Sequence, residues 1–240
     1  MDKILRDPFS AGTHLLMAGA TLFVAVILLR LAWGNRLRRI DVGMFGFSMV
    51  FLYTCSGLFH AVHLPPEERD IFRNLDMTAI YFLIAGSFTP LIVTFVPGLI
   101  RAVYLVFMWS LVVAGVLVLW LVQSPPYPVV VAIYIGLGMV GLLGVRYYIR
   151  GAGRRAMPLL IFEPVIYIAG AVIDVLQWPV IWPGVIGPHE VFHLTDILGT
   201  LAHISIMMLY VIPVLRKNIR KHHRPVVVDE ELAVETANKE

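Results

Sequence analysis

Charge is scarce in this chain. Asp, Glu, Lys and Arg make up only 15% of its 240 residues, whereas a soluble domain carries about a quarter. An ordinary water-soluble globule is thereby excluded. Cysteine is almost absent: Cys55 stands alone, which rules out an intrachain disulfide and leaves the redox compartment unread. Alternation of apolar and polar side chains at every second residue is missing, and with it the pattern of a membrane β-barrel. No internal repeat or long polar linker divides the chain, and nothing in it points to a nucleic-acid partner.

What the chain has instead is apolar sequence. Hydrophobic residues reach 59% and the mean hydropathy is +0.82, arranged in separate runs of about 20 residues, the length that crosses a bilayer. The expectation is an all-α polytopic membrane protein, a seven-transmembrane-helix bundle forming one domain over 1–214. The spans fall at 13–33, 42–64, 75–96, 99–122, 129–148, 157–178 and 189–214. Ser10 or Asp7 is placed to cap the first. That run follows Lys3 and Arg6, but its length to Trp33 and the lack of a small-residue cleavage pattern read as a helix rather than a signal peptide. Pro65-Pro66, Pro97-Gly98 and Ser124-Pro125-Pro126 punctuate the spans. Gly136, Gly138, Gly141 and Gly144 are expected to form a close-packing face. Trp178 and Trp182 mark an interfacial loop. The tail, 215–240, is basic and then acidic, and is expected to be disordered.

Chemistry concentrates at Gly187-Pro188-His189-Glu190-Val191-Phe192-His193. Histidines four apart on a helix share one face, so both rings can reach one metal ion. In a seven-span chain, the end of span two and the starts of spans three and seven lie on one membrane face. His60, Asp76, His189 and His193 are therefore brought to the same depth. Three histidines from two helices match a zinc site with one position open, where bound water titrates near about 7. Asp76 is placed to take that water's proton and pass it to a leaving group. Ser56, on the face of His60, is placed to hydrogen-bond the water or a developing oxyanion. Together these groups suffice for metal-assisted hydrolysis of an ester or amide held in lipid.

Plainer roles remain open at each position. A histidine at a helix end can be simply interfacial, Asp76 can cap span three, and Ser56 can bond its own backbone. His63 is an alternative ligand, though its place beside the Pro-Pro break favours solvation. His14 and His203 are expected to pack or to support other groups, Cys55 to pack, and His222 and His223 to be solvated. Glu163, Asp174 and Asp196 are intramembrane acids and so functional suspects, with a proton or ion path as one reading. Asp196 lies one turn from His193 and could orient its ring.

At these residues the chain resembles the progestin and adipoQ receptor family, in its bacterial hemolysin III branch. The likeness runs from Asp7-Pro8-Phe9-Ser10-Ala11-Gly12-Thr13-His14 to Val211. It is carried by Ser56-Gly57-Leu58-Phe59-His60, Leu75-Asp76, Ile84-Ala85-Gly86-Ser87-Phe88-Thr89-Pro90 and His189-Glu190-Val191-Phe192-His193. The resemblance implies a seven-helix bundle with zinc on His60, His189 and His193, and Ser56 and Asp76 on the zinc-bound water. The similar adiponectin receptors and alkaline ceramidases imply hydrolysis of a lipid amide such as ceramide. The branch name implies hemolytic or pore-forming activity instead. The acid, asparagine and histidine motif of the family's first span is met only partly, by Asp7, Ser10 and His14.

Two readings follow. One is a zinc-dependent intramembrane hydrolase of a lipid amide or ester, with a membrane lipid as partner. The other is a receptor or pore-forming protein in which a fourth ligand, Asp76, His63 or Asp196, closes a structural zinc site. Adiponectin-receptor-like members put the amino terminus and zinc face in the cytoplasm. Here Lys3, Arg6, Arg69 and Arg73 on that face are outnumbered by Arg36, Arg38, Arg39, Arg101, Arg150, Arg154, Arg155 and the tail on the other. The positive-inside bias therefore predicts, for a bacterial plasma membrane, an outer amino terminus and a cytoplasmic tail.

Overall fold

The computed structural model describes residues 5–34, 36–122 and 125–222, with the side chains of 36, 37 and 218–222 excepted. Its helices are α1 (Pro8–Leu31), α2 (Arg36–Ala61), α3 (Pro66–Phe95), α4 (Gly98–Leu121), α5 (Tyr127–Leu142), α6 (Val145–Ala152), α7 (Met157–Leu176), α8 (Pro188–Ile206) and α9 (Ile212–His222). A 3-10 turn, Arg154–Ala156, precedes α7, and a π-helical turn, Met207–Val211, joins α8 to α9. Six stretches are long and apolar enough to cross a bilayer, and the bent pair α5–α6, taken as one broken span, is the seventh. The chain is an all-α polytopic membrane bundle. Leu16, Phe23, Leu99 and Leu121 point outward from α1 and α4, as lipid-facing side chains do.

Helix α3 sits at the centre, packed on α2, α4, α5 and α6. It begins about two turns before the expected Leu75. Pro66 occupies the first turn with Glu67 and Glu68, a helix start favoured by proline's fixed φ and by negative charge at the positive end of the dipole. The charged stretch 67–70, which lies outside the expected span 75–96, is thus helix, and Asp76 is well inside α3 and caps nothing. Side-chain bonds clip α4 and α5 to it: Trp109 Nε1 donates to Thr89 Oγ1 at 3.2 Å, Trp120 Nε1 to Thr78 Oγ1 at 3.0 Å, and Tyr134 Oη to the Met77 carbonyl at 2.9 Å.

The expected fifth span is broken by a 48° bend between α5 and α6. Tyr104 of α4 inserts there. Its hydroxyl accepts from the Gly144 N–H at 3.0 Å and reaches the Val140 and Gly141 carbonyls at 2.5 and 2.7 Å. A side chain that enters the backbone ladder in this way kinks a helix. Of the four glycines of the expected packing face, Gly141 lies against Phe88 and Gly144 against Tyr148, while Gly136 and Gly138 meet nothing.

The last helix also departs from expectation. It continues through α9 to His222, so the tail starts helical. The rest of it, 223–240, lies outside the described residues, as does the side chain of His222. The π turn falls just before Pro213, whose ring cannot sit under a regular α-turn carbonyl.

Candidate metal centre

The site is built where α2 ends and α8 begins. His60 is in the last turn of α2, and His189 and His193 occupy the first turns of α8. The Pro188 start and the Glu190 side chain fix that helix end: Glu190 Oε2 accepts the Gly187 N–H at 2.9 Å. Pro8 likewise starts α1, and the preceding backbone closes over α2, with the Asp7 N–H donating to the His60 carbonyl at 3.0 Å. That bond satisfies one of the orphan carbonyls at a helix end.

Three imidazole nitrogens converge. The Nε2 atoms are 3.4 Å apart for His60 and His189, 3.2 Å for His60 and His193, and 3.1 Å for His189 and His193. Tetrahedral ligands at zinc–nitrogen lengths of about 2.05 Å would be separated by about 3.3 Å. The cluster therefore fits one ion of that size. Each of the two outer rings gives its other nitrogen to a carboxylate: His60 Nδ1 to Asp7 Oδ2 at 3.0 Å, and His189 Nδ1 to Asp174 Oδ1 at 3.1 Å. With Nδ1–H donating, the Nε2 atoms carry lone pairs that face one another, an arrangement able to hold a cation between them.

His60 and His193 are buried at 2% exposure, whereas the His189 side chain is 42% exposed, so the cluster is open on one side. Ser56 is buried beside the Asp76 carboxylate. Both line a cavity of about 810 Å³ together with the three histidines. The cavity continues into the membrane between α3, α5 and α7, past apolar side chains such as Met77, Ile80, Ile84, Val131 and Ile135.

Several expectations are corrected. Asp7 occupies the N-cap position of α1, but its side chain makes no cap bond, and Ser10 lies inside the helix. Asp7 instead orients His60 and binds Arg6 Nε at 2.9 Å. Burial pushes its carboxyl up, but the bonds with His60 and Arg6 outweigh burial and hold it below the usual carboxylate range. Asp196 does not hold His193. It faces Tyr53 with one oxygen unpartnered, and His193 Nδ1 has no partner among the described residues. Edge-on to the His193 ring is His14, with centroids 4.0 Å apart. His63 is exposed and outside the cluster. His203 pairs with Glu163 at 2.9 Å.

The Asp174–His189 pairing was not foreseen, nor was Tyr127, whose hydroxyl donates to Asp174. A signal for Asp174 was present, since it ends the sixth span on the face where the seventh begins. The partly met first-span motif is used in full: Asp7 on His60, Ser10 on Glu190 at 3.4 Å and His14 on His193.

Residues 3–204 match the family described as Haemolysin-III related. The chain is 26% identical over 170 residues to Hemolysin-3 of Bacillus cereus, covering 71% of this chain and 74% of that protein. It is 25% identical over 218 residues to the Hemolysin-3 homolog of Bacillus subtilis (strain 168), covering 89% and 98%. With its fold and tri-histidine cluster, the chain belongs to the Haemolysin-III related family.

Proposed function

We propose that the chain is a zinc-dependent intramembrane hydrolase of a lipid amide or ester. The observation that carries this reading is the joint placement of three convergent Nε2 atoms, Asp76 and Ser56 at the head of one apolar cavity. His60, His189 and His193 would hold the ion, and its chemistry there would be Lewis-acid polarisation of a carbonyl and acidification of water. Asp7 and Asp174 hold the imidazoles in the tautomer that leaves Nε2 free. Asp76 takes a proton from the attacking water as the new carbon–oxygen bond forms. It returns that proton to the amine or alcohol when the carbon–nitrogen or carbon–oxygen bond breaks. Ser56 orients Asp76. The cavity accepts the acyl chain, its volume falling within the range of small-molecule sites, about 300–1,000 Å³.

Asp76→Asn tests this. The variant should bind zinc as the wild type does and lose turnover of a long-chain N-acyl amide by at least about a hundredfold. Undiminished turnover with bound zinc removes Asp76 from the reaction. The relatives named Hemolysin-3 favour a second reading, a pore-forming or receptor protein with a structural zinc. In that case Asp76→Asn loosens the metal if Asp76 is the fourth ligand, and no acyl lipid is cleaved. The excess of Arg and Lys on the face opposite the site supports a cytoplasmic carboxyl terminus.

A further inference from the structure

The cavity is not apolar to its end. Glu163 lines it eleven residues along α7 from Asp174, about 16 Å at a rise of about 1.5 Å per residue. Leu160, Leu142 and Phe88 line the same region, by their places in α7, α5 and α3. A carboxyl at this depth is costly unless it is paired or used.

Half of it is paired. Glu163 Oε1 lies 2.9 Å from Nδ1 of His203 on α8, and both residues are buried, at 6% and 1% exposure. His203 Nε2 is buried with no partner among the described residues, its ring edge against Phe45 with centroids 4.6 Å apart. An orphaned lone pair costs less than an orphaned N–H, so Nδ1 carries the proton and donates to Oε1. Glu163 Oε2 has no hydrogen-bond partner among the described residues and is not fully buried, and the residue lines the cavity wall. Tyr167, one turn along α7, also lines the wall, with its hydroxyl engaged by Thr200 Oγ1 at 3.0 Å. A bare methyl end of an acyl chain would strip water from Oε2 and give nothing back.

We propose that the far end of the cavity is a polar subsite in which Glu163 Oε2, oriented by His203, accepts a hydrogen bond from a hydroxyl or amino group at the distal end of the bound lipid chain. This rests on the reading of the cavity as an acyl-chain site and narrows the substrate class to lipids with a donor remote from the scissile bond. Glu163 touches the ligand; His203 is a positioning residue that acts through it.

Three long-chain fatty acids of equal length serve as probes on the purified, detergent-solubilised full chain: one ending in methyl, one in an ω-hydroxyl and one in an ω-methoxy group. Affinities are read by titration calorimetry. The ω-hydroxy acid should bind about tenfold tighter than the other two, as expected for one hydrogen bond gained by an otherwise unsatisfied acceptor. Glu163→Leu should level the three, and His203→Asn should reduce the preference without abolishing it. Because the contrast is made first on the wild type, a variant that fails to fold does not weaken the test. Equal binding of all three overturns the subsite and leaves the acyl-chain cavity standing. A methyl-ended acid that binds tightest overturns it too. Failure of any fatty acid to bind overturns the cavity reading and the subsite with it.

Discussion

The Nε2 atoms of His60 and His189 lie 3.4 Å apart across two helices, and each ring has its opposite nitrogen on a carboxylate. Two lone pairs so held repel unless something positive lies between them. The carboxylates therefore do more than lock rotamers: they forbid the tautomer that would let the histidines bond to each other. His193 completes the triangle at 3.2 and 3.1 Å.

Metal content gives the first prediction. Wild-type protein purified in detergent should carry about one zinc per chain, as a three-histidine site does, and His193→Ala should carry none by elemental analysis. Folded wild type without metal would remove the ion from the mechanism.

Asp174→Ala should keep the fold and weaken zinc affinity by about 10–100-fold, the usual effect of losing an outer carboxylate. Chelator competition measures this. Tyr127→Phe, which removes only the donor to Asp174, should have a smaller effect in the same direction.

Zinc should leave on acidification through about pH 6.5 to 5, where free imidazole protonates. Asp7 responds in the same direction but at lower pH. Its folded-state pKa is depressed, so its contribution is present above the ordinary carboxylate range and lost only as pH falls through the lower folded value. Dialysis across pH should thus show release set by imidazole, and Asp7→Asn should leave the release midpoint in the same range.

Gly170 of α7 lies against Thr195 of α8, and a β-carbon there would overlap the Thr195 hydroxyl. Gly170→Ala should lower stability by about 1–3 kcal/mol, read as thermal unfolding in detergent. Adding Thr195→Ala should recover most of it, a non-additivity diagnostic of direct contact.

A fluorescent protein that matures only in the cytoplasm, fused at the carboxyl terminus, should glow in a bacterial host if the charge bias sets orientation. A dark fusion at normal expression would reverse the assignment.

The histidine cluster was legible because helical spacing puts His189 and His193 on one face and span alternation brings His60 to their depth. Neither argument needs to know how the helices are rotated. The place of Asp76 beside the cluster was legible for the same reason, although the start of its helix was misplaced by a charged first turn. The partners of the imidazoles were harder to read. Asp7, Asp174 and Asp196 were all at hand, and only the rotation of α8 against α2 and α7 decides that the first two are used and the third is not. The break between α5 and α6 depends on Tyr104, 40 residues from Gly144, so no local pattern announces it.

The π turn at Met207–Val211 changes the phase of the last helix. One surplus residue in a 3.6-residue turn advances everything after it by about 100°. Before the turn, His193, Asp196, Thr200 and His203 run down the buried side of α8. Carried on at a constant pitch, that stripe would direct a different set of α9 residues inward than the apolar Ile212 and Leu215, which are the buried ones. The polar column ends at His203, where buried Ile206 and Met207 follow, and the wide turn keeps the apolar Val211, Ile212 and Leu215 on the inward side beyond it. Deleting a single residue there would shift the register of the whole carboxyl end.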